Sequence, residues 1–182
     1  MPDWTDHGLR AAEEPLQIVF STEQIDRRVR ELAAEISAAY EVRDRLLVLG
    51  FLKGAFIFMA DLVRAITLPH QVDFLVASSY GPGEVSTGEV RLLYDPASSL
   101  EGRAVLVVED IVDSGTTLRL LLPRLQARGP SSLEICALLH KRLDAVEAEP
   151  RWVGFDAPNV FLVGYGLDHG EDFRHLPYIA SL

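Results

Sequence analysis

Apolar residues recur along this chain with two spacings, one typical of amphipathic helices and one typical of buried strands. Residues 21–40, STEQIDRRVRELAAEISAAY, carry apolar side chains every three or four positions, which predicts a surface helix with one buried face. Ser21 and Gln24 can form a capping box at its start. Residues 45–51, RLLVLGF, are instead short, branched and continuously apolar, which predicts a strand buried on both faces.

The two patterns alternate over the rest of the chain. A second helix is predicted from about Ala55 to Ile66, and a third in TTLRLLLPRLQARG, ending at Gly129. Pro123 either kinks this third helix or marks its first true turn. Further strands are predicted in VDFLVASSY, EVRLLYD, AVLVVED, LEICALLH and NVFLVGYG, with GPGEVSTG as a loop between the first two. The alternation predicts an α/β fold, a single domain with a mainly parallel central sheet flanked by helices.

The loops that follow the strands are where function is expected, because ligands of such sheets bind beyond the carboxyl ends of the strands. This rule selects Leu52 to Gly54, Glu109 to Thr117, the segment from Lys141 onward and the segment from Gly164 onward.

The composition is that of one soluble globular domain. The chain has 182 residues, 48% of them hydrophobic, with no apolar run near the ~20 residues needed to cross a bilayer. The acidic start, MPDWTDHGLRAAEEP, lacks the features of a signal peptide. We therefore expect a cytoplasmic protein with a disordered or loosely packed leader at residues 1–17 and one domain at residues 18–182. Cys136 lies in an apolar run and is predicted to be a buried core residue.

The charge excludes some partners and draws attention to the lysines. A formal net charge of −10 disfavours nonspecific binding to nucleic acid or to an anionic membrane, so no nucleic-acid or membrane partner is expected. An anionic ligand would need a local positive field. Of the 17 basic residues only Lys53 and Lys141 are lysines, which suggests positions where a compact ammonium is needed; ordinary surface lysines are the alternative.

Three carboxylates cluster where the predicted strand AVLVVED ends. Glu109 and Asp110 are adjacent at the exit of a buried strand, and Asp113 follows closely. Such carboxylates need partners, and vicinal sugar hydroxyls or a divalent cation with oxygen ligands would serve.

The residues after them, Ser114, Gly115, Thr116 and Thr117, form a predicted turn at a helix N-terminus, where backbone amides and the helix dipole favour a phosphate group. Neither a Walker loop nor a dinucleotide fingerprint is present. The alternative is a plain strand-to-helix turn capped by Asp113 or Ser114.

Five motifs in register carry a family resemblance. EDIVDSGTT resembles the phosphoribosyl-pyrophosphate motif of the type I phosphoribosyltransferases. FLKGAFIFMADL, SSYGPGEVSTGEV, the lysine of LLHKR, and VFLVGYGLDHGEDFRHLPYI resemble motifs of the bacterial hypoxanthine (guanine) phosphoribosyltransferases, and the similarity spans about Ile18 to Ile179. The resemblance implies a type I phosphoribosyltransferase fold with a small hood region, assembled as a homodimer or homotetramer. It also implies Mg²⁺-dependent transfer of phosphoribosyl from phosphoribosyl pyrophosphate to a 6-oxopurine, hypoxanthine and/or guanine.

The resemblance assigns roles on the donor side of the site. Glu109 and Asp110 would hold the ribose hydroxyls, directly or through Mg²⁺, and Asp168 would lie near the metal and the purine edge. The 5-phosphate would bind Ser114, Gly115, Thr116 and Thr117. Pyrophosphate would bind Lys53, Gly54 and Arg174, in a loop that carries a cis peptide at Leu52-Lys53 in the family. Ser79 and Tyr80 would lie at the tip of a mobile loop that closes over the site; a merely flexible connection is the alternative.

On the purine side, Asp113 would be the general base near N7, with helix capping as the alternative. Lys141 would donate to the 6-oxo group, and because an ammonium only donates, it would reject the amino group of adenine. Phe161 would stack on the base and Leu162 would offer backbone contacts. Preference among hypoxanthine, guanine and xanthine stays open.

The chain also departs from the family pattern. An arginine common four residues after the lysine is Ala145 here, and Arg142 next to Lys141 is a possible substitute. His169 replaces a usual tyrosine, and the mobile loop carries Pro82 and Glu84. The five histidines show no metal-ligand spacing, so a zinc site is not expected.

A non-catalytic purine-nucleotide or phosphoribosyl-pyrophosphate sensing regulator of the same fold is the alternative function. Against it, the leader is too short for a helix-turn-helix and the net charge has the wrong sign for DNA binding.

Overall fold

The computed structural model describes residues 16–79, 90–113, 115–142 and 149–182. In these residues the chain forms nine strands and three α-helices. The strands are β1 (Gln17–Phe20), β2 (Leu47–Leu52), β3 (Gln71–Ser79), β4 (Val90–Tyr94), β5 (Ala104–Val112), β6 (Ser132–His140), β7 (Trp152–Asp156), β8 (Leu162–Val163) and β9 (Ile179–Ser181); the helices are α1 (Thr22–Ala39), α2 (Phe56–Ala65) and α3 (Thr116–Gln126). The predicted features at residues 1–15, Tyr80, the loop 81–88, Ser114 and Ala145 lie outside the described residues.

A six-stranded sheet forms the centre of the domain, in the order β4-β3-β2-β5-β6-β7. Five strands run parallel, and the edge strand β4 pairs antiparallel with β3. Alternate residues of the central strands face opposite layers: Val48 and Leu106 pack with α1 and α2, whereas Leu47 and Val105 pack with α3. The predicted α/β class with a mainly parallel sheet is therefore confirmed.

A second, antiparallel sheet of three strands, in the order β1-β9-β8, forms the predicted hood region. The prediction for NVFLVGYG needs correction here, because only Leu162–Val163 is a strand and it belongs to this small sheet. Beyond Val163 the chain turns at Gly164, whose positive φ of 96° ends the extended backbone.

The sixth strand of the main sheet is β7, which the sequence patterns did not predict. It has only five residues, and the middle one, Gly154, is a residue that weakens a strand signal. Glycine is required there, because a Cβ would lie 2.4 Å from the carbonyl oxygen of Leu138 in β6. Arg28 of α1 secures the strand by donating to the carbonyl oxygens of Val153 (2.9 Å) and Gly154 (3.0 Å).

The helices follow the sequence prediction closely at their starts. The backbone amide of Ser21 donates to Gln24 Oε1 at 2.8 Å and the Gln24 amide donates back to Ser21 Oγ, so the capping box is confirmed. Pro123 lies inside α3, which continues to Gln126. The predicted end at Gly129 is three residues too late, because tighter i to i−3 bonds unwind the last turn before Gly129 adopts a φ of 73°.

The interior is mainly apolar, with Asp73, Arg103 and His140 as buried polar residues. Cys136 is fully buried with a free thiol, as predicted. None of the helices in the described part of the chain is long and apolar enough to span a membrane.

Candidate active site

The carboxyl ends of β2, β5 and β6 meet at one edge of the main sheet, because these strands are neighbours and run parallel. The end of β2 leads into Lys53 and Gly54, β5 ends with Glu109 to Val112, and β6 leads into Lys141. The Lys141 amide donates to the Val112 carbonyl oxygen at 2.9 Å, which extends the ladder into the site. The fold therefore brings together most of the residues that the sequence predicts to form the site.

The loop after β2 lies directly against the carboxylates of β5. The Leu52-Lys53 peptide is cis, as the resemblance implies. A Cβ at Gly54 would lie 1.6 Å from Asp110 Oδ2, and a Cβ at Gly166 would lie 2.1 Å from the Gly54 carbonyl oxygen. Residue 54 is thus held between a carboxylate and another backbone segment, and only glycine fits.

Glu109 and Asp110 are adjacent, half-buried carboxylates. Burial raises the pKa of Asp110 to about 6, and one of its oxygens accepts from the Ile111 amide at 2.9 Å. Burial, with the charge of Asp110 added, raises the pKa of Glu109 well above its usual value. Glu109 Oε2 is buried and accepts no hydrogen bond from the described residues. This oxygen therefore has an unmet need for a cation or a hydroxyl.

The donor set suits magnesium better than a fully protein-made metal site. No group of three or more His, Cys, Asp or Glu side chains able to hold a metal occurs among the described residues. Mg²⁺ commonly binds one or two protein carboxylates and takes its other ligands from phosphates and water. Glu109 and Asp110 fit that pattern, whereas Asp168, the third predicted ligand, already pairs with Arg174 at 2.8 Å.

Asp113 and Lys141 form an ion pair at the mouth of the site. Lys141 Nζ donates to Asp113 Oδ2 at 3.0 Å, and the lysine side chain is only 13% exposed. Asp113 therefore does not cap α3, whose N-cap is Gly115, with a φ of 72° and no side-chain capping bond. The alternative in which Asp113 caps the helix after a plain strand-to-helix turn is therefore wrong. Thr116 and Thr117 begin the helix, at its positive end.

A second ion-pair network links the loop after β2 to the segment between β8 and β9. Lys53 Nζ lies 2.9 Å from both carboxylate oxygens of Glu171. Arg174 Nη2 lies 2.8 Å from Asp168 Oδ1 and 3.3 Å from Glu171 Oε2, and its Nη1 donates to the Gly166 carbonyl oxygen at 2.7 Å. The two predicted pyrophosphate ligands, Lys53 and Arg174, thus converge on one carboxylate.

Tyr165 attaches this segment to the body of the domain. Its hydroxyl donates to Asp61 Oδ2 in α2 at 2.7 Å, and its amide donates to the Leu176 carbonyl oxygen at 2.8 Å. The residue adopts a φ of 50° between Gly164 and Gly166, so the backbone turns sharply twice within three residues.

The predicted purine-stacking residue is exposed at the edge of the hood. Phe161 is 54% exposed and meets the ring of His169 edge-on, with centroids 5.3 Å apart. Leu162 is buried in β8. Although His169 stands where the family usually has a tyrosine, its ring still contacts Phe161. Ser79 is the last residue of β3, and its predicted role in a closing loop stays a prediction.

Arg142, the possible substitute for an arginine at position 145, is engaged elsewhere. Its Nε donates to Asp156 Oδ1 in β7 at 2.7 Å, and its Nη1 lies 3.7 Å from Glu149. In this arrangement Arg142 supports the end of β7 and does not join the network of Lys53 and Arg174.

Glu171 is the site residue that sequence reasoning missed. It lies three residues after Asp168 and three before Arg174, the two residues of this stretch that already had assigned roles at the site. The only available signal was electrostatic: Lys53 and Arg174 were assigned to an anionic ligand, and a ligand-free site needs another anion to balance such cations.

Comparisons with known proteins agree on one family. Residues 18–169 match the family model described as phosphoribosyl transferase domain. A hypoxanthine-guanine phosphoribosyltransferase of Mycobacterium avium is 48% identical over 172 residues, which cover 91% of this chain and 84% of that protein. One of Dictyostelium discoideum is 44% identical over 170 residues, covering 91% and 94%. The crystal structure of a Staphylococcus aureus hypoxanthine phosphoribosyltransferase superposes with a TM-score of 0.86 at 41% identity, covering 91% of this chain and 90% of that one.

The burial of Asp110 predicts a pH-dependent gain in stability for Asp110→Asn. The folded-state pKa of about 6 exceeds the value of about 3.9 for an unfolded aspartate. The folded protein therefore binds more protons in this window, and its free energy of unfolding falls as the pH rises through it. Asparagine does not ionise, so without divalent cations the variant should gain about 1–3 kcal/mol near pH 7.5, shrinking towards pH 4.

Urea unfolding of wild type and variant across this pH range measures the difference. Asp172→Asn is the control, because Asp172 is an exposed carboxylate of the same site region and should change little. The charged neighbours of Asp110, which are Glu109, Asp168 and Arg174, are unchanged in both variants. A gain that stays constant with pH would contradict the burial account.

Proposed function

The chain belongs to the phosphoribosyltransferases, in the hypoxanthine (guanine) branch of the type I family, and on this premise we propose how its residues divide a purine-salvage reaction. The reaction transfers the 5-phosphoribosyl group of phosphoribosyl pyrophosphate to hypoxanthine and/or guanine, giving IMP or GMP and pyrophosphate. The domain at residues 18–182 carries it out, together with Gln17, which begins β1 and pairs with Ser181 of β9.

The Lys141–Asp113 pair carries this proposal. A 6-oxopurine presents its oxo group and N7 side by side on one edge, as an acceptor next to a ring nitrogen that bears a proton. An ammonium donor 3.0 Å from a carboxylate acceptor matches that edge. Lys141 donates to the oxo group, and Asp113 accepts the N7 proton while the other nitrogen of the five-membered ring attacks C1 of the ribose. The bond from C1 to the pyrophosphate oxygen then breaks.

The donor occupies the rest of the sheet edge. Glu109 and Asp110 bind the ribose hydroxyls and would hold Mg²⁺, which would neutralise part of the pyrophosphate charge when bound, while Asp168 keeps its pair with Arg174 beside them. The unsatisfied oxygen of Glu109 and the raised pKa of both carboxylates support this role. The 5-phosphate binds at the start of α3, from Ser114 to Thr117, and pyrophosphate binds Lys53, Gly54 and Arg174. Phe161 and Leu162 line the purine, and Ser79 and Tyr80 belong to a closing loop.

Asp113→Asn should keep donor binding and lose most turnover, because an amide cannot accept the N7 proton. We expect kcat to fall by roughly 10²- to 10⁴-fold with little change in the KM for phosphoribosyl pyrophosphate. Steady-state assays of IMP formation over a range of donor concentrations measure both. Unchanged turnover would remove Asp113 from the role of base.

Lys141→Ala should weaken the purine far more than the donor, because the lost group is a charged hydrogen-bond donor to the oxo oxygen. A charged hydrogen bond is worth about 1.5–3 kcal/mol, so KM for hypoxanthine should rise roughly 10- to 100-fold. Lys53→Ala, the only other lysine position, is the matched control and should show the opposite pattern, with KM for the donor affected most. Equal losses for both substrates in the Lys141 variant would contradict the assignment.

We also propose that the chain assembles as a homodimer or homotetramer through the exposed side of β3 and β4. Val72 and Phe74 of β3 point to the α2 side of the sheet, since their register partners are Val48 and Gly50 of β2. They are 42% and 37% exposed, and Tyr94 of β4 is 47% exposed. Phe56 at the start of α2 adds a fourth exposed apolar side chain. Exposed apolar side chains on one side of an edge of a sheet are typical of protein interfaces.

Val72→Glu should therefore shift the particle towards the 20.2 kDa monomer, because a charge at the centre of the surface would be buried without a partner. Light scattering coupled to gel filtration measures the mass. Val42→Glu is the matched control, since Val42 is 68% exposed and lies between α1 and β2. If both variants keep the wild-type mass, the oligomer does not use this surface.

A further inference from the structure

Glu171 holds the two cations that the proposed function gives to pyrophosphate. Both of its carboxylate oxygens lie 2.9 Å from Lys53 Nζ, and Oε2 lies 3.3 Å from Arg174 Nη2. The contact with Lys53 spans 118 positions of sequence, so it joins the loop after β2 to the segment before β9. The two carboxylate oxygens of Glu171 thus make the kind of contact with Lys53 and Arg174 that the oxygens of a phosphate group can make.

A tight backbone turn sets the position of residue 171. His169 and Asp172 exchange two backbone hydrogen bonds, and the residues between them, Gly170 and Glu171, have φ values of 61° and 74°. This is the geometry of a type I′ hairpin turn, whose second central position favours glycine. A glutamate there is unusual. Its amide donates to Asp168 Oδ2 at 2.9 Å, which helps to hold the turn.

The contact is also easy to open. The side chains of Lys53 and Glu171 are both 64% exposed, and exposed ion pairs contribute little net stability. Asp168 differs, since its side chain is 29% exposed and it bonds both Arg174 and the Glu171 amide. The lysine holds the pKa of Glu171 below its ordinary value, so this carboxylate is ionised at neutral pH. A multivalent anion can therefore displace the Glu171 side chain while Asp168 keeps Arg174 oriented.

We propose that Glu171 is a tethered anion that occupies Lys53 and Arg174 in the free enzyme and exchanges with pyrophosphate. This inference rests on the proposed function, which assigns the two cations to the pyrophosphate group. Glu171 is a positioning residue: it keeps both cations aimed at one point and lowers the affinity for pyrophosphate by competing for them. The same exchange assists product release, because the carboxylate returns to the cations as pyrophosphate leaves.

The first test is the affinity of the full chain for inorganic pyrophosphate with Mg²⁺, measured by calorimetry without any purine. Glu171→Gln keeps the shape of the side chain and removes its charge. We expect pyrophosphate to bind roughly two- to tenfold more tightly, as the loss of two exposed ion pairs implies. Asp172→Asn removes the same charge from the next residue, which is exposed, and should leave the affinity close to that of wild type.

Each result has a distinct meaning. Equal or weaker binding by Glu171→Gln would overturn the competition, and an equal gain in Asp172→Asn would replace it with a general effect of net charge. If wild type binds no pyrophosphate, the assignment of Lys53 and Arg174 fails and takes this inference with it. If wild type binds pyrophosphate and Glu171→Gln binds it equally well, only the tethered-anion role fails.

The second test uses the lysine count. The chain contains only Lys53 and Lys141, so protein labelled with ¹³C and ¹⁵N at lysine gives two side-chain signals, assigned with Lys53→Arg. In free protein, Glu171→Gln should shift the Lys53 signal and leave that of Lys141, which pairs with Asp113. Pyrophosphate should move Lys53 to the same position in both proteins. Different bound positions would mean that Glu171 still contacts Lys53 after pyrophosphate binds, and would contradict the exchange.

Discussion

The burial of two adjacent carboxylates at the end of β5 is the constraint on which the site depends. Glu109 and Asp110 are half-buried because the parallel sheet carries them to its edge, and burial raises the pKa of both. A desolvated carboxylate oxygen without a partner is costly, and Glu109 Oε2 has no partner among the described residues. Asp110 packs against Gly54 and accepts from the Ile111 amide. A ligand that brings hydroxyls or positive charge would supply the missing partner.

The cations and carboxylates around that centre are paired with one another in the free protein. Lys141 pairs with Asp113, Lys53 with Glu171, and Arg174 with both Asp168 and Glu171. In the proposed reaction each pair corresponds to one step of substrate binding, so the purine and the donor would exchange existing ion pairs for new contacts rather than neutralise isolated charges. Such an exchange limits the net gain in binding energy, since each ligand contact replaces an existing contact. It also leaves these side chains preorganised.

The sequence predicted the main sheet better than the smaller elements. The α/β class, the main strands and the meeting of candidate residues at one edge of the sheet followed from hydrophobic spacing, from the rule about strand ends and from motifs in register. β7 was missed because five residues with a central glycine give little signal, and the reason for Gly154, its contact with Leu138, is a tertiary one. The assignment of NVFLVGYG failed for a related reason: apolarity indicates burial but does not say in which sheet.

Glu171 was not predicted because its role depends on a contact across 118 positions and on a backbone conformation that glutamate seldom adopts. Local patterns contain neither fact. The pairing of Lys141 with Asp113 was equally hidden, although both residues had been identified, since motifs assign each residue a role with the ligand and not a partner in its absence. Sequence motifs thus suggest contacts with a ligand, and the structure adds the ion pairs of the free protein.

The two lysines illustrate why residue type matters in a chain that otherwise uses arginine. An ammonium is compact and can turn on a flexible stem, whereas a guanidinium is a planar fork that favours a fixed bidentate partner. In the proposed reaction Lys141 passes from Asp113 to a purine oxygen and Lys53 passes from Glu171 to pyrophosphate, so at both positions the ammonium changes its partner. Arg174 also exchanges Glu171 for pyrophosphate, but its other contacts, with the Gly166 carbonyl oxygen and with Asp168, hold the guanidinium in place. Lysine therefore stands where the whole cation changes partner, and arginine stands where one side chain keeps some contacts while it exchanges another.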